Sequence, residues 1–240
     1  MVSTHSTPTQ ALVLAAHGSS HSDGVAAILD RIVADLRAGP AFDSVTACYH
    51  RQPPYFRDVL DAQTADRIVV VPMMTSGGYF SRVVLPERMG LTGPVTYRNG
   101  QTIHLTAPLG EHARMPNLMA ARVRSTLKAH RLDPSLTAVI LVGHGTRRDP
   151  QSASLTERHA ASLRRRKQVS QVVTAFLDQP PELEEVHRLT DLPILIVVPY
   201  LLGGGKHAIE DLPARLGIRS AGPAGSRRTF LTPSPFEDPA

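Results

Sequence analysis

Three side chains that can bind a metal ion or accept a proton lie in the second half of this 240-residue chain. They are His144, Asp178 and His207, and each lies beyond the end of a short apolar segment. Imidazole nitrogens and carboxylate oxygens are ligands that divalent transition metals favour. A neutral imidazole can also remove a proton near neutral pH. The trio therefore predicts a site that holds a cation, accepts protons, or does both.

The apolar segments that precede these residues are predicted to be buried β-strands. They span 138–142, 172–176 and 194–198, and amphipathic stretches at 152–167 and 182–188 lie between them. Such alternation of strand and helix predicts a parallel sheet with right-handed crossovers. The carboxyl ends of parallel strands meet at one edge of the sheet, where sites form in the loops. We therefore expect the three side chains to converge at that edge.

The first half of the chain repeats the second at a constant offset of 127 residues, without a gap. Matching residues recur in several pairs of segments: 16–19 and 143–146, 52–54 and 179–181, 70–72 and 197–199, and 85–90 and 212–217. So many matches at one offset indicate a duplicated unit of about 120 residues. The predicted fold class is α/β, with two tandem flavodoxin-like units whose parallel sheets are related by a pseudo-two-fold axis. The predicted domains are residues 1–131 and 132–240.

The other elements follow from the same patterns. In the first half, strands are predicted at 12–16, 45–49, 67–71 and 102–106, and helices at 24–36, 55–63 and 115–129, with one more helix ending near Met89. In the second half, a helix near 207–216 and a strand near 228–231 complete the unit. The helix at 115–129 has no predicted counterpart there.

The positions equivalent to the trio read His17, Arg51 and Phe80 in the first half. One potential ligand is retained and two are lost, so the first unit is predicted to carry a degenerate site. His50 is adjacent to the position of Asp178. Because a shift of one residue along a strand reverses the side chain, His50 is expected to be a weak substitute at best.

Composition limits the other classes of function. The formal net charge of +5 suits an anionic partner. The only dense basic run, 164–167, ends a predicted helix and there is no tryptophan, so no nucleic-acid partner is expected. The apolar segments are too short to cross a bilayer and residues 1–10 lack a signal-peptide pattern, so we expect a cytoplasmic protein without a membrane partner. The single cysteine, Cys48, is expected to be a buried strand residue.

Three segments of the second half together resemble the class II tetrapyrrole chelatases, most closely the sirohydrochlorin cobaltochelatases and ferrochelatases. The matching segments are VGHGT at 142–146, AFLDQPP at 175–181, and VPYLLGGGKH at 198–207 followed by DLP at 211–213. The resemblance extends over both halves, since long members of that family are themselves tandem. It implies a chelatase of the lyase class that inserts cobalt or iron into sirohydrochlorin or a related tetrapyrrole, as in siroheme and cobalamin biosynthesis.

The resemblance also implies roles for the trio. The two metal-handling histidines of the family fall on His144 and His207, and its acidic partner falls on Asp178, where Glu is commoner. All three residues are therefore expected to handle the metal and to take part in catalysis. No tightly bound cofactor is implied, because Co²⁺ or Fe²⁺ is itself a substrate.

Five further residues are expected to contact the tetrapyrrole, which is an anionic substrate. Arg147 and Lys206 would attract its carboxylates. Gly203, Gly204 and Gly205 would let the backbone approach the ring without side-chain obstruction. The oligomeric state is left open, and a homo-oligomer is compatible with the sequence.

Two other functions remain open at this point. One is a non-catalytic carrier of metal or tetrapyrrole that descends from a chelatase, which the degenerate first half suggests. The other is phosphotransfer through His144, which is the weaker alternative because the chain lacks a phosphate-binding P-loop.

Overall fold

The computed structural model describes residues 7–19, 24–146, 150–202, 212–216 and 227–236. The chain divides into two units between Leu109 and Gly110. Each unit is an α/β structure built on one sheet, as the sequence predicted.

The sheet of the first unit has five strands among the described residues, in the order β2-β1-β3-β5-β4. The strands are β1 (Gln10–Ala16), β2 (Ser44–Tyr49), β3 (Arg67–Pro72), β4 (Val95–Arg98) and β5 (Gln101–Leu105). The helices are α1 (Gly24–Arg37), α2 (Phe56–Val59) and α3 (Leu85–Met89), and a π-helical turn at Phe80–Val84 runs into α3.

The sheet of the second unit has four parallel strands within the described ranges, in the order β7-β6-β8-β9. The strands are β6 (Thr137–Gly143), β7 (Gln171–Phe176), β8 (Ile194–Tyr200) and β9 (Arg228–Leu231). The helices are α4 (Met115–Ala129), α5 (Gln151–Arg165) and α6 (Val186–Leu189), with a 3₁₀ turn at Leu183–Glu185 before α6 and a helical turn at 212–215.

Burial explains why the strands were visible in the sequence. Every residue of β6 and β8 is buried, so both segments are almost continuously apolar, as expected of parallel strands covered on two faces. Helix α1 buries Val25, Leu29 and Val33, which recur every four residues and form one face. Helices α2 and α3 share a separate apolar cluster with β1 and β3, to which those three residues do not belong.

The sheet of the first unit is not entirely parallel, which corrects the prediction. β4 pairs antiparallel with β5, and Asn99 and Gly100 form the turn with φ values of 50° and 78°. An Asn-Gly pair with two positive φ angles is the favoured two-residue hairpin connection. The Asn-Gly pair therefore indicates a hairpin in the sequence, whereas the apolar pattern of the short β4 does not.

The offset of 127 residues relates β1, β2 and β3 to β6, β7 and β8, but it does not relate the pairing of β5 to that of β9. Leu12 pairs with Val45 and, at that offset, Val139 pairs with Val172. In the first unit, Arg67 of β3 pairs with Thr102 of β5. In the second unit, the equivalent Ile194 of β8 pairs with Arg228 of β9 rather than with the residue at position 229. The two units therefore keep the offset as far as the segments at 85–90 and 212–217, and the pairing of β9 is shifted by one residue relative to that of β5.

One predicted helix is shorter than the sequence suggested, and another lies mostly outside the described residues. Helix α2 covers only Phe56–Val59 of the predicted 55–63. Most of the helix predicted at 207–216 lies outside the described residues. Among the described helices, none is long and apolar enough to span a bilayer.

Helix α4 packs against α5 and β8, although it lies within the predicted first repeat, residues 1–131. It buries Met115, Met119, Ala120 and Val123. The repeat boundary at 131/132 stays a prediction about the duplication, whereas the compact units divide before α4. Cys48, as expected, is a buried residue of β2.

Candidate active site in the second unit

His144 and Asp178 come together at the carboxyl edge of the second sheet. β6 ends at Gly143 and β7 at Phe176, and these two residues are paired in register. The loops that follow therefore begin side by side. His144 Nδ1 lies 3.2 Å from Asp178 Oδ2, and the two side chains are 55% and 58% exposed. The pair is thus open to a ligand from solvent.

The backbone after His144 strongly favours glycine. Gly145 has a φ of +68°, and a Cβ added there would lie 2.6 Å from Gln179 Cγ and 2.9 Å from Phe176 Cβ. The next residue, Thr146, donates its backbone N–H to Gln179 Oε1 at 2.9 Å. The loop that carries His144 is therefore held directly against the loop that carries Asp178.

The hydrogen bonds of His144 define which ring nitrogen carries the proton. Nδ1 lies 2.9 Å from the carbonyl oxygen of Gly145 and 3.2 Å from Asp178 Oδ2. Both neighbours are acceptors, so Nδ1 is assigned as the donor in the neutral ring. The lone pair of Nε2 is then available to a metal ion or a proton.

An ion pair that sequence reasoning missed fixes the turn at 212–215 beside this site. Arg215 contacts Glu184 through two bonds, Nε to Oε1 at 2.6 Å and Nη2 to Oε2 at 3.1 Å, and Nη2 also donates to the carbonyl oxygen of Leu177 at 3.1 Å. The hydrogen bond from Arg215 lowers the pKa of Glu184, and the same bond raises the pKa of Arg215. Complementary charges 31 residues apart were the only signal of this contact in the sequence.

The remaining predicted site residues lie outside the described part of the chain. These are Arg147, Gly203, Gly204, Gly205, Lys206 and His207. Among the described residues, no group of three or more His, Cys, Asp or Glu side chains forms a metal site.

The first unit reproduces the frame of this site. His17 Nδ1 lies 3.0 Å from the carbonyl oxygen of Gly18, which also has a φ of +68°. Ser19 donates its backbone N–H to Gln52 Oε1 at 2.9 Å. The hydrogen-bonded loop is therefore shared by both units.

The rings around His17 differ from the environment of His144. The ring centroid of Phe80 lies 4.8 Å from that of His17, and the ring of His50 lies 5.6 Å away. The expectation that strand alternation turns His50 away was wrong, because β2 ends at Tyr49 and His50 lies beyond it. Burial, followed by the charges of His17 and nearby arginines, lowers the pKa of His50.

Another histidine of the second unit, His159, is buried and bonded to the backbone. His159 in α5 is 5% exposed, and its Nε2 donates to the carbonyl oxygen of Gly110 at 3.1 Å. Tyr200 donates its hydroxyl to the same oxygen at 2.8 Å. Burial lowers the pKa of His159, which keeps the ring neutral among these partners.

Comparison with known proteins gives matches over both halves of the chain. The family model for CbiX matches residues 11–126 and 138–233. The probable sirohydrochlorin cobaltochelatase of Halobacterium salinarum is 30% identical over 221 residues, which cover 85% of this chain and 75% of that protein.

Solved structures share the fold. A multi-domain protein of Deinococcus radiodurans, described as similar in structure to chelatases and as having two additional domains, aligns with a TM-score of 0.77 and 27% identity. The match covers 97% of this chain and 52% of that protein, so the chain spans about half its length. CbiX, described as the terminal enzyme of siroheme biosynthesis in denitrifying bacteria, aligns with a TM-score of 0.71 and 22% identity, over 95% of this chain and 92% of that one.

Proposed function

The chain belongs to the CbiX family of class II tetrapyrrole chelatases, and we propose that it inserts a divalent metal ion, cobalt or iron, into sirohydrochlorin or a related tetrapyrrole. The observation that carries this proposal is the contact of His144 Nδ1 with Asp178, which leaves Nε2 of an exposed imidazole for a metal ion or a proton. The relative named as a probable sirohydrochlorin cobaltochelatase supports the substrate class.

Metal insertion exchanges two pyrrole N–H protons for one divalent cation. The site therefore needs a ligand that holds the metal and releases it, and a base that takes the protons. Nε2 of His144 can serve in either way. The contact of Nδ1 with Asp178 holds the ring in place while Nε2 binds the metal or takes the proton. The second carboxylate oxygen of Asp178 is left for the metal or for a pyrrole proton.

The other residues of the proposed site complete this arrangement. His207 is the proposed second imidazole, so that one ring can hold the metal while the other accepts a proton. Arg147 and Lys206 are proposed to bind carboxylates of the tetrapyrrole. Gly203, Gly204 and Gly205 are proposed to form the surface against which the ring lies. The metal ion enters as a substrate and leaves in the product.

A carrier that binds metal or tetrapyrrole without catalysis is the second candidate. The packing of Phe80 against His17 favours it, because an aromatic ring occupies the first-unit position of His207. A carrier would bind the same ligands as a chelatase, but insertion would not exceed the spontaneous rate.

The test compares the two equivalent histidines in an insertion assay with Co²⁺, Fe²⁺ and Ni²⁺, followed by the absorption of the free macrocycle. His144→Ala is expected to lower the rate by about a hundredfold, the usual contribution of a group that accepts protons. His17→Ala, the matched control, is expected to retain the wild-type rate. A wild-type rate in His144→Ala would contradict the proposal, and a wild-type protein no faster than the spontaneous reaction would favour the carrier.

A further inference from the structure

The charged groups around one arginine differ between the two units. In the second unit, Arg215 is bound by Glu184, and the charges of Asp178 and Glu182 also raise its pKa. At the offset that relates the units through their third helices, the first unit has different residues in these places: Arg88 for Arg215, Arg57 for Glu184, Arg51 for Asp178 and Tyr55 for Glu182. Three carboxylates around one guanidinium are thus replaced by two further guanidiniums and a phenol.

A cavity of about 320 Å³ lies at this place in the first unit. It is lined by His50, Tyr55, Phe56, Arg57 and Arg88. His50 replaces Leu177 of the second unit, so the lining gains a further polar group. The volume exceeds that of one carboxylate and falls at the lower end of the range for small-molecule sites.

Neither arginine of the cavity faces a carboxylate as Arg215 does. Within the described part of the chain, the Arg88 guanidinium makes no hydrogen bond or ion pair. Arg57 contacts the adjacent Asp58 at 3.3 Å, where both side chains are more than half exposed, and its guanidinium lies 5.1 Å from the centre of the Tyr55 ring. Such an exposed pair neutralises little charge. The cavity is therefore positively charged.

We propose that this cavity binds a carboxylate ligand through Arg88, Arg57 and His50, in the place that the Glu184 carboxylate occupies in the second unit. The second unit supplies the reason for choosing a carboxylate: the same frame there holds one in two-point contact with the equivalent arginine. Planar guanidinium groups match carboxylates in this two-point geometry. A free polycarboxylate and the acid side chains of a tetrapyrrole share this chemistry, and only the second source rests on the proposed function.

The decisive variant is Arg57→Glu, which gives the first unit the carboxylate that the second unit already has. The new side chain is expected to pair with Arg88 and to occupy the cavity. The thermal midpoint of the wild-type protein is expected to rise with citrate, by about 5 °C at a hundred times the dissociation constant, relative to sodium chloride of equal ionic strength. The midpoint of Arg57→Glu is expected to be insensitive to citrate. Arg88→Ala, which removes the guanidinium without filling the cavity, is expected to lose the same response.

Arg31→Glu is the matched control, because it makes the same change of charge on α1, whose buried residues lie outside the cluster shared by α2 and α3. A parallel arm replaces citrate with metal-free sirohydrochlorin and measures binding by absorbance, which requires no catalysis. A response to citrate or sirohydrochlorin that Arg57→Glu loses and Arg31→Glu keeps supports the site, and the ligand that gives it identifies the source. A wild-type protein that responds to neither ligand, an Arg57→Glu protein that still responds, or an Arg31→Glu protein that does not, overturns it.

Discussion

His17 and His144 lie in the same hydrogen-bonded frame, but their rings meet different neighbours. In both units the histidine bonds to the carbonyl of a glycine with positive φ, and a glutamine accepts the N–H of the residue after that glycine. In the first unit Phe80 packs on the imidazole, whereas in the second Asp178 faces Nδ1. The two units therefore share the hydrogen-bonded frame and differ in the side chains that face the imidazole.

The largest expected effect comes from removing the charge that distinguishes His144 from His17. Asp178→Asn keeps an acceptor for Nδ1 but removes the negative charge that faces it. We expect kcat for insertion to fall about tenfold to a hundredfold, as for other residues that act through a histidine. Asp191→Asn, at an exposed residue, is the control. Equal rates for the two variants would show that the carboxylate does not act on His144.

The shared frame predicts a loss of stability in either unit when its glycine is replaced. Gly145→Ala and Gly18→Ala each place a Cβ at positive φ, within 2.9 Å of another side chain. We expect each to lower the free energy of unfolding by about 1 to 3 kcal/mol, measured by urea denaturation. Only Gly145→Ala should also lower the insertion rate. Gly93→Ala, where nothing lies within 4 Å, is the control, and an equal stability for all three variants would contradict a common frame.

The smallest effect concerns a buried histidine that only the second unit has, since Ile32 stands at the equivalent position of His159. Burial lowers the pKa of His159 below its ordinary value of 6.5, so the unfolded chain binds a proton more readily. This contribution to stability is present above that value and is lost as the pH falls below it. His159→Gln should therefore show a smaller loss of stability between pH 7 and pH 5 than the wild type.

His187→Gln, the same replacement at an exposed position, is the control. Urea denaturation at several pH values measures both variants. Parallel curves for the wild type and His159→Gln would mean that the imidazole titrates in the folded protein as it does in the unfolded chain.

The sequence predicted the strands that are buried on both faces, because burial itself makes them apolar. β6 and β8 are such strands, and their order placed His144 at the correct edge of the sheet. The antiparallel β4 was missed because it has only four residues, and of these only Thr96 is buried. The hairpin that joins it to β5 could still have been found from Asn99 and Gly100, whose turn chemistry is local.

Contacts between side chains that are distant in the sequence could not be predicted from the sequence pattern. The bond between Arg215 and Glu184 depends on where two turns end, which neither hydrophobic period nor spacing specifies. The position of His50 was predicted wrongly for a related reason: strand alternation applies only within a strand, and β2 stops one residue before it. The repeat nevertheless helps here. Once the structure of one unit is known, a charge difference at the equivalent positions of the other unit can be interpreted from the sequence.

Helix α4 belongs to the predicted first repeat in the sequence but to the second compact unit in the structure. It lies within the predicted first repeat, residues 1–131, yet its buried face, including Met115 and Met119, packs over α5 and β8. A gene fragment cut at the end of the repeat would therefore encode a second half with an uncovered apolar surface. Excision before Gly110 would keep that surface covered.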